Sequence, residues 1–168
     1  MKPILLTFIV VFASVADAGS FDKLVNKYSS RYGVDKRIIE AVMFVESSTR
    51  KHVTGDDGKS FGLMQIMLQT ARDQGFRGTK HQLLFPVYNI KYGTKYLSQC
   101  LKWSLGDVCG AIDIYNRGIG NVIKYPYKKQ WAKHRHVRKV IDYLKAKGHE
   151  DALQNNCNPK GNERKYSL

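Results

Sequence analysis

Acidic side chains are scarce in this chain: 14 Asp and Glu stand against 28 Lys and Arg, a formal net charge of +14 over 168 residues. The cations crowd one region, with Lys124, Lys128, Lys129, Lys133, Arg135, Arg138, Lys139, Lys145 and Lys147 close together. Such a balance predicts attraction to an anionic polymer or surface, whether nucleic acid, acidic lipid or cell-wall polymer. No nucleic-acid fold signature or groove-reading helix accompanies it, so no specific nucleic-acid partner is expected. Long apolar runs are also missing, apart from Ile4 to Val15, which is too short to span a bilayer comfortably. With Met1-Lys-Pro before it and Ala16-Asp-Ala18 after it, that run reads as a secretory signal peptide; an uncleaved anchor is the alternative. The expected domain plan is signal peptide over 1–18, a folded domain over 19–147 and a polar tail over 148–168. Cleavage near Ala18 leaves a periplasmic or secreted protein with no stable membrane insertion.

Cysteine is rare, with three in the chain, and their spacing matches no Cys/His ligand pattern, so neither a metal nor a cofactor is expected. In an oxidising compartment Cys100 and Cys109 bracket a short loop that a disulfide could staple. Cys109 with Cys157 is an equal competitor. His134 and His136, two apart, point to different sides of a helix and read as part of a solvated basic surface. Convincing strand alternation, internal repeats and long low-complexity segments are absent, which leaves an all-α chain of about six short helices.

What is present begins with a misplaced carboxylate. In Asp35-Lys-Arg-Ile-Ile-Glu-Ala-Val-Met-Phe-Val-Glu46, the residues Ile39, Val42, Met43 and Glu46 fall at i, i+3, i+4 and i+7, the buried stripe of an amphipathic helix. A bare carboxylate there is costly unless paired or protonated, and a carboxyl kept protonated is a general acid. The alternative is that Glu46, in the last turn, simply reaches water.

Asp22 or Ser20 caps a first helix to about Arg31, and the Gly33-Val-Asp35 break starts the helix carrying Glu46. The turn-rich segment Thr54 to Ser60 is a loop, followed by an expected helix from Phe61 to about Gln74. Pro86 opens a longer helix to about Leu101, Val108 to Tyr115 forms another, and Asn116 to Gly120 turns the chain. The last helix runs from about Trp131 to Lys147, with Val137, Val140, Ile141 and Leu144 inward.

Three segments then stand in order: Glu46-Ser47, Gly62-Leu-Met-Gln65-Ile66-Met67 and Ala111-Ile-Asp-Ile-Tyr115-Asn116-Arg-Gly118. Together with Asn89-Ile-Lys-Tyr-Gly93-Thr-Lys-Tyr96-Leu97, they closely resemble the soluble lytic transglycosylase family over most of the mature chain. The resemblance implies a lysozyme-like α-helical fold around a glycan-binding cleft, and cleavage of the MurNAc-GlcNAc β-1,4 bond of peptidoglycan. It implies Glu46 as the catalytic residue, with Ser47, Met64, Gln65, Tyr115 and Asn116 as substrate-binding residues. Ser47 is expected to orient near the acid. The Gln65 amide suits sugar hydroxyls or the N-acetyl group, and the Tyr115 phenol suits the carboxyl or the oxocarbenium-like sugar.

The chain departs from the family pattern at Leu68, where proline is common, at Asp113 and Ile114, where small apolar residues are common, and at His136, a common tyrosine position. A two-acid hydrolase needs a second carboxylate across the sugar ring. Asp56 and Asp57 are the nearest, in a Gly-flanked loop where they shape turns. In the family one glutamate protonates the leaving oxygen and then takes a proton from the muramyl 6-hydroxyl, which closes a 1,6-anhydro ring. The alternatives are a hydrolytic muramidase and a non-catalytic cell-wall or polyanion binding protein. The family also implies a monomer acting locally on the wall, in some cases beside a secretion or conjugation complex.

Overall fold

The computed structural model describes residues 21–124, 134–153 and 157. The expected signal peptide, the start of the last expected helix and most of the expected polar tail lie outside the described residues. α1 (Asp22–Tyr32) leads through a glycine turn to α2 (Lys36–Ser47), where the Asp35 side chain accepts from the Arg37 backbone N–H at 2.9 Å. That cap satisfies one of the donors a helix start leaves unpaired. The α2 stripe is buried as expected: Ile39, Val42 and Met43 are in the core, with Ile38 and Ala41 widening the apolar face.

The chain after α2 is not a plain loop and helix. Thr54–Gly55 (β1), Ser60–Phe61 (β2) and Ile66–Met67 (β3) form a small antiparallel sheet in the order β1-β2-β3, with Phe61 facing both Thr54 and Ile66. The helix expected from Phe61 is confined to α3 (Leu68–Asp73). Two positive φ angles explain the difference, since Gly62 at +70° and Gln65 at +44° cannot lie in a right-handed helix. Leu68 opens α3 at the first helical position. Proline is favoured there for its fixed φ, so leucine at this site departs from the family pattern without ending the helix.

α4 (Pro86–Trp103) is the longest helix and packs on α1 and α5 (Val108–Arg117). α6 (Ile119–Lys124) follows Gly118 directly, where only a turn was expected. α7 (Arg135–Ala146) packs on α2 and α5, with Val137, Val140 and Leu144 buried and Arg135, Arg138, Lys139 and Lys145 exposed. Glu46 lies near His136 while Arg37 reaches Asp151, so α2 and α7 run antiparallel.

Beyond α7 the chain is tied back to the domain. Ala152 is buried, Arg37 Nη1 lies 2.6 Å from Asp151 Oδ2, and Cys157 is bonded to Cys109. The disulfide is therefore Cys109–Cys157, and the Cys100–Cys109 pairing does not form. Cys100 is a buried thiol on α4, hydrogen-bonded to Tyr96 and raised in pKa chiefly by burial, whereas the Cα atoms of Cys109 and Cys157 lie 4.9 Å apart, within bridging range. Among the described residues no helix is long and apolar enough to cross a membrane.

Asp35 links this frame to pH. The Arg37 guanidinium, bonded to it at 2.6 Å, holds its carboxyl below the usual carboxylate range, against a smaller opposing effect of burial. The unfolded chain therefore binds the proton first as pH falls. The stabilisation is complete above about pH 4 and is lost as pH drops through the folded value. The stability gap between wild type and Asp35→Asn should narrow as pH is lowered from about 5 to about 2, read from thermal midpoints. Asp35→Ala should cost about 1 kcal/mol at neutral pH through the lost cap alone.

Candidate active site

The 62–65 turn is held by a side chain from α4. Asn89 is fully buried and makes three hydrogen bonds: Oδ1 accepts from the Met64 N–H at 2.8 Å, and Nδ2 donates to the Phe61 and Leu83 carbonyls at 2.7 and 2.8 Å. A Cβ on Gly62 would stand 2.5 Å from Asn89 Nδ2, and one on Gly93 would stand 2.5 Å from Met64 Sδ. Both glycines are therefore required for the turn to approach α4 this closely.

Three of the expected site residues make contacts that build this turn. Met64 is a core side chain, fully buried against Gly93 and Thr94. Ser47 is buried at the end of α2, and its hydroxyl donates towards the Leu63 carbonyl at 2.9 Å and the Met43 carbonyl at 3.1 Å. It locks the acid-bearing helix to the turn. Gln65 does line the cleft, yet its amide is engaged by the protein: Nε2 donates to the Gly62 and Val53 carbonyls, and Oε1 accepts from the Ser60 hydroxyl.

The cleft itself holds about 130 Å³ and is lined by Glu46, Asp56, Gln65, Met67, Tyr115 and Asn116, with Tyr96 and Arg117 behind them. Glu46 comes from the last turn of α2 and its side chain is 15% exposed, between the buried acid and the solvated one that its spacing allowed. Tyr115 comes from α5 on the facing wall. Its hydroxyl donates to the Met64 carbonyl at 2.8 Å, so its proton is committed to the turn and its oxygen remains an acceptor. Burial, reinforced by the nearby Glu46 charge, pushes this phenol's pKa well up and keeps it neutral. Asn116 is exposed on the same wall. Tyr96 stacks obliquely on Tyr115 at 5.2 Å between centroids and backs it from α4.

Asp56 is the second carboxylate on the cleft, in a left-handed backbone with φ +49° followed by Asp57 at +53°. Both are exposed and shape the connection between β1 and β2, as their glycine-rich surroundings suggested.

Two features were misjudged from sequence. His134 and His136 are not on a solvated surface. His134 Nδ1 donates to Asp113 Oδ1, and His136 Nε2 faces Glu46 Oε1 at 3.3 Å. Asp113 is nearly inaccessible and is also gripped by Arg117, through Nε at 3.0 Å and Nη2 at 2.6 Å. The signal lay in the departure itself, since an acid at a small apolar position inside a buried helix needs cationic partners. No group of three or more His, Cys, Asp and Glu suited to a metal ion occurs among the described residues.

The model of the transglycosylase SLT domain family matches residues 23–138, the span that contains every element of this cleft. The chain belongs to that family. Among solved structures, an inactive variant of the lytic transglycosylase Slt from Pseudomonas aeruginosa superposes with a TM-score of 0.67 at 22% identity over 89% of this chain. The 70 kDa soluble lytic transglycosylase from Escherichia coli gives 0.67 at 23% identity over 79% of this chain. A complex of the 70 kDa soluble lytic transglycosylase with bulgecin A gives 0.58 at 20% identity over 88% of this chain. These likenesses establish the lysozyme-like fold. The chain covers 27%, 25% and 26% of those three proteins, about a quarter of their length.

Asn89 is the test of how the cleft is held. Asn89→Ala should lower stability by about 3 kcal/mol, since a backbone N–H and two carbonyls lose their partner in a dry site. Denaturant unfolding should show the shift in midpoint.

Proposed function

We propose that this protein is a peptidoglycan lytic transglycosylase that cleaves the MurNAc-GlcNAc β-1,4 bond and leaves a 1,6-anhydro-MurNAc end. The observation that carries the reading is the position of Glu46, half-enclosed at a cleft whose opposite wall is Tyr115 and Asn116, within a chain of the SLT family. The Glu46 carboxyl gives its proton to the glycosidic oxygen as the C1–O4 bond breaks. The carboxylate so formed takes the proton of the muramyl 6-hydroxyl as O6 bonds to C1, and the acid is restored without water. Asn116 is free to contact the sugar, and the Tyr115 oxygen can accept from a hydroxyl of the substrate. The exposed cations of α7 suit an anionic wall polymer.

The setting that goes with this activity is an exported monomer. Its leader ends near Ala18, its catalytic domain spans 19–147 with the Cys109–Cys157 bridge tying the following residues to it, and it opens the wall locally, as secretion and conjugation machines require. A muramidase is the second reading, because Asp56 also lines the cleft. It would need Asp56 to act as nucleophile or to activate water from across the ring.

Products from purified glycan strands separate the two: an anhydro end is lighter than a reducing end by one water. Glu46→Gln should lower turnover by about 10²–10⁴-fold with folding intact. Asp56→Asn should cost at least tenfold less than that. Reducing-end muramic acid, together with an Asp56→Asn loss as large as that of Glu46→Gln, would establish the hydrolase instead.

A further inference from the structure

Glu46 has a partner that the family motifs do not supply. His136 is the second residue of α7, and its Nε2 stands 3.3 Å from Glu46 Oε1, with the side chains 16% and 15% exposed. Nε2 is sealed from water and is not aligned in a hydrogen bond to any atom. A dry polar nitrogen without a hydrogen bond is costly, which favours the ring finding its interaction in the carboxyl it faces.

The other charged groups around α7 have partners or point away. On α2, Glu40 lies beyond a turn and a half from Glu46, beside Tyr143, and Arg37 is held by Asp35 and Asp151 while Lys36 is exposed. On α5, Asp113 binds Arg117 and His134, and the Tyr115 hydroxyl donates to Met64. In the 3-10 turn Glu150–Leu153, past the far end of α7, Asp151 pairs with Arg37 and Glu150 is exposed. On α7 itself Arg135, Arg138, Lys139, Asp142 and Lys145 are exposed. Among the described residues, Glu46 is the carboxylate within ion-pair distance of His136. The clamp of Asp113 on His134 fixes the first turn of α7 and so sets the ring in place.

We propose that His136 is a positioning and proton-sharing partner of Glu46, so that the pair, rather than the carboxyl alone, sets the pH range of catalysis. This rests on Glu46 being the acid of the glycan cleavage described above. The pair holds one proton, either on the carboxyl beside a neutral imidazole or on the imidazole beside a carboxylate. The first form gives the proton to the glycosidic oxygen as C1–O4 breaks. The pair is then carboxylate and neutral imidazole, and the muramyl 6-hydroxyl returns a proton to Glu46 as O6 bonds to C1. Because the shared proton can rest on the imidazole, it stays with the pair at a pH where a lone carboxyl has lost it.

Tyrosine keeps a hydroxyl near Glu46 but does not titrate in this range, so His136→Tyr isolates the effect. Rates on purified glycan strands should be followed from pH 4.5 to 8. The variant should lose about tenfold more activity at pH 7 than at pH 5, as the alkaline limb retreats toward the carboxylate range. A profile lowered by the same factor at every pH overturns the proposal, because a merely structural role scales without changing shape. A readout free of activity is the NMR titration of the His136 ring in wild type and in Glu46→Gln. Its midpoint should move to lower pH once the carboxylate is gone, and identical midpoints overturn the pairing even if His136→Tyr fails to fold. Absence of any fragment release by wild type would instead remove the transglycosylase reading, while the ring titration still decides the pairing.

Discussion

The hydrogen bonds of one buried amide hold the cleft open. Asn89 reaches from α4 to Phe61 and Met64 of the Phe61–Gln65 turn and to Leu83, just before α4. The turn must be held from outside because two of its residues have positive φ, which neither the sheet nor α3 can impose. Once it is held, other contacts fall into place. The Met64 carbonyl accepts from Tyr115 and so sets the far wall, while the Leu63 carbonyl accepts from Ser47 and so sets the end of the helix bearing Glu46. The two walls are thus referred to one strained loop, and a change at Asn89 reaches groups it never touches.

The second constraint is ionic. Burying Asp113 on α5 is tolerable because Arg117, one turn on, and His134, at the start of α7, both bond to it. Such a cluster adds little net stability, yet it ties two helices at a defined point, which apolar contact alone does less sharply. The point lies two residues before His136. A replacement that departs from the family pattern in the middle of α5 is thereby coupled to what stands beside Glu46.

Helix starts were legible where a local signal marks them, as with Asp35 capping α2 and Pro86 opening α4. Glu46 stood out because it is the one carboxylate in an apolar stripe whose other members are buried. The Phe61–Met67 segment was not legible, because its apolar residues suit a helix and its shape is dictated by Asn89, some 25 residues away in sequence from Met64. The internal contacts of Ser47, Met64 and Gln65 were hidden for a related reason. Residues close to a cleft either face it or build it, and only tertiary contacts distinguish the two. His134 and His136 were hidden by their surroundings, since five of the neighbouring α7 side chains are exposed and charged. The Cys109–Cys157 choice likewise turned on Cα separation, which spacing along the chain does not encode.

A single acid is enough on the transglycosylase reading because the nucleophile is already part of the substrate. Closing the muramyl 6-hydroxyl on C1 is intramolecular, so no second carboxylate has to hold and activate a water across the ring. That places an unusual demand on the acid, which must be protonated at the start, charged in the middle and protonated again at the end. A fully buried carboxyl would resist the charged state, and a fully solvated one would not keep its proton. Glu46 sits between these extremes in exposure, at the end of a buried stripe with its carboxyl at the cleft. The neutral Tyr115 supplies no charge to either state, and the group facing the carboxyl from α7 is His136, at 3.3 Å.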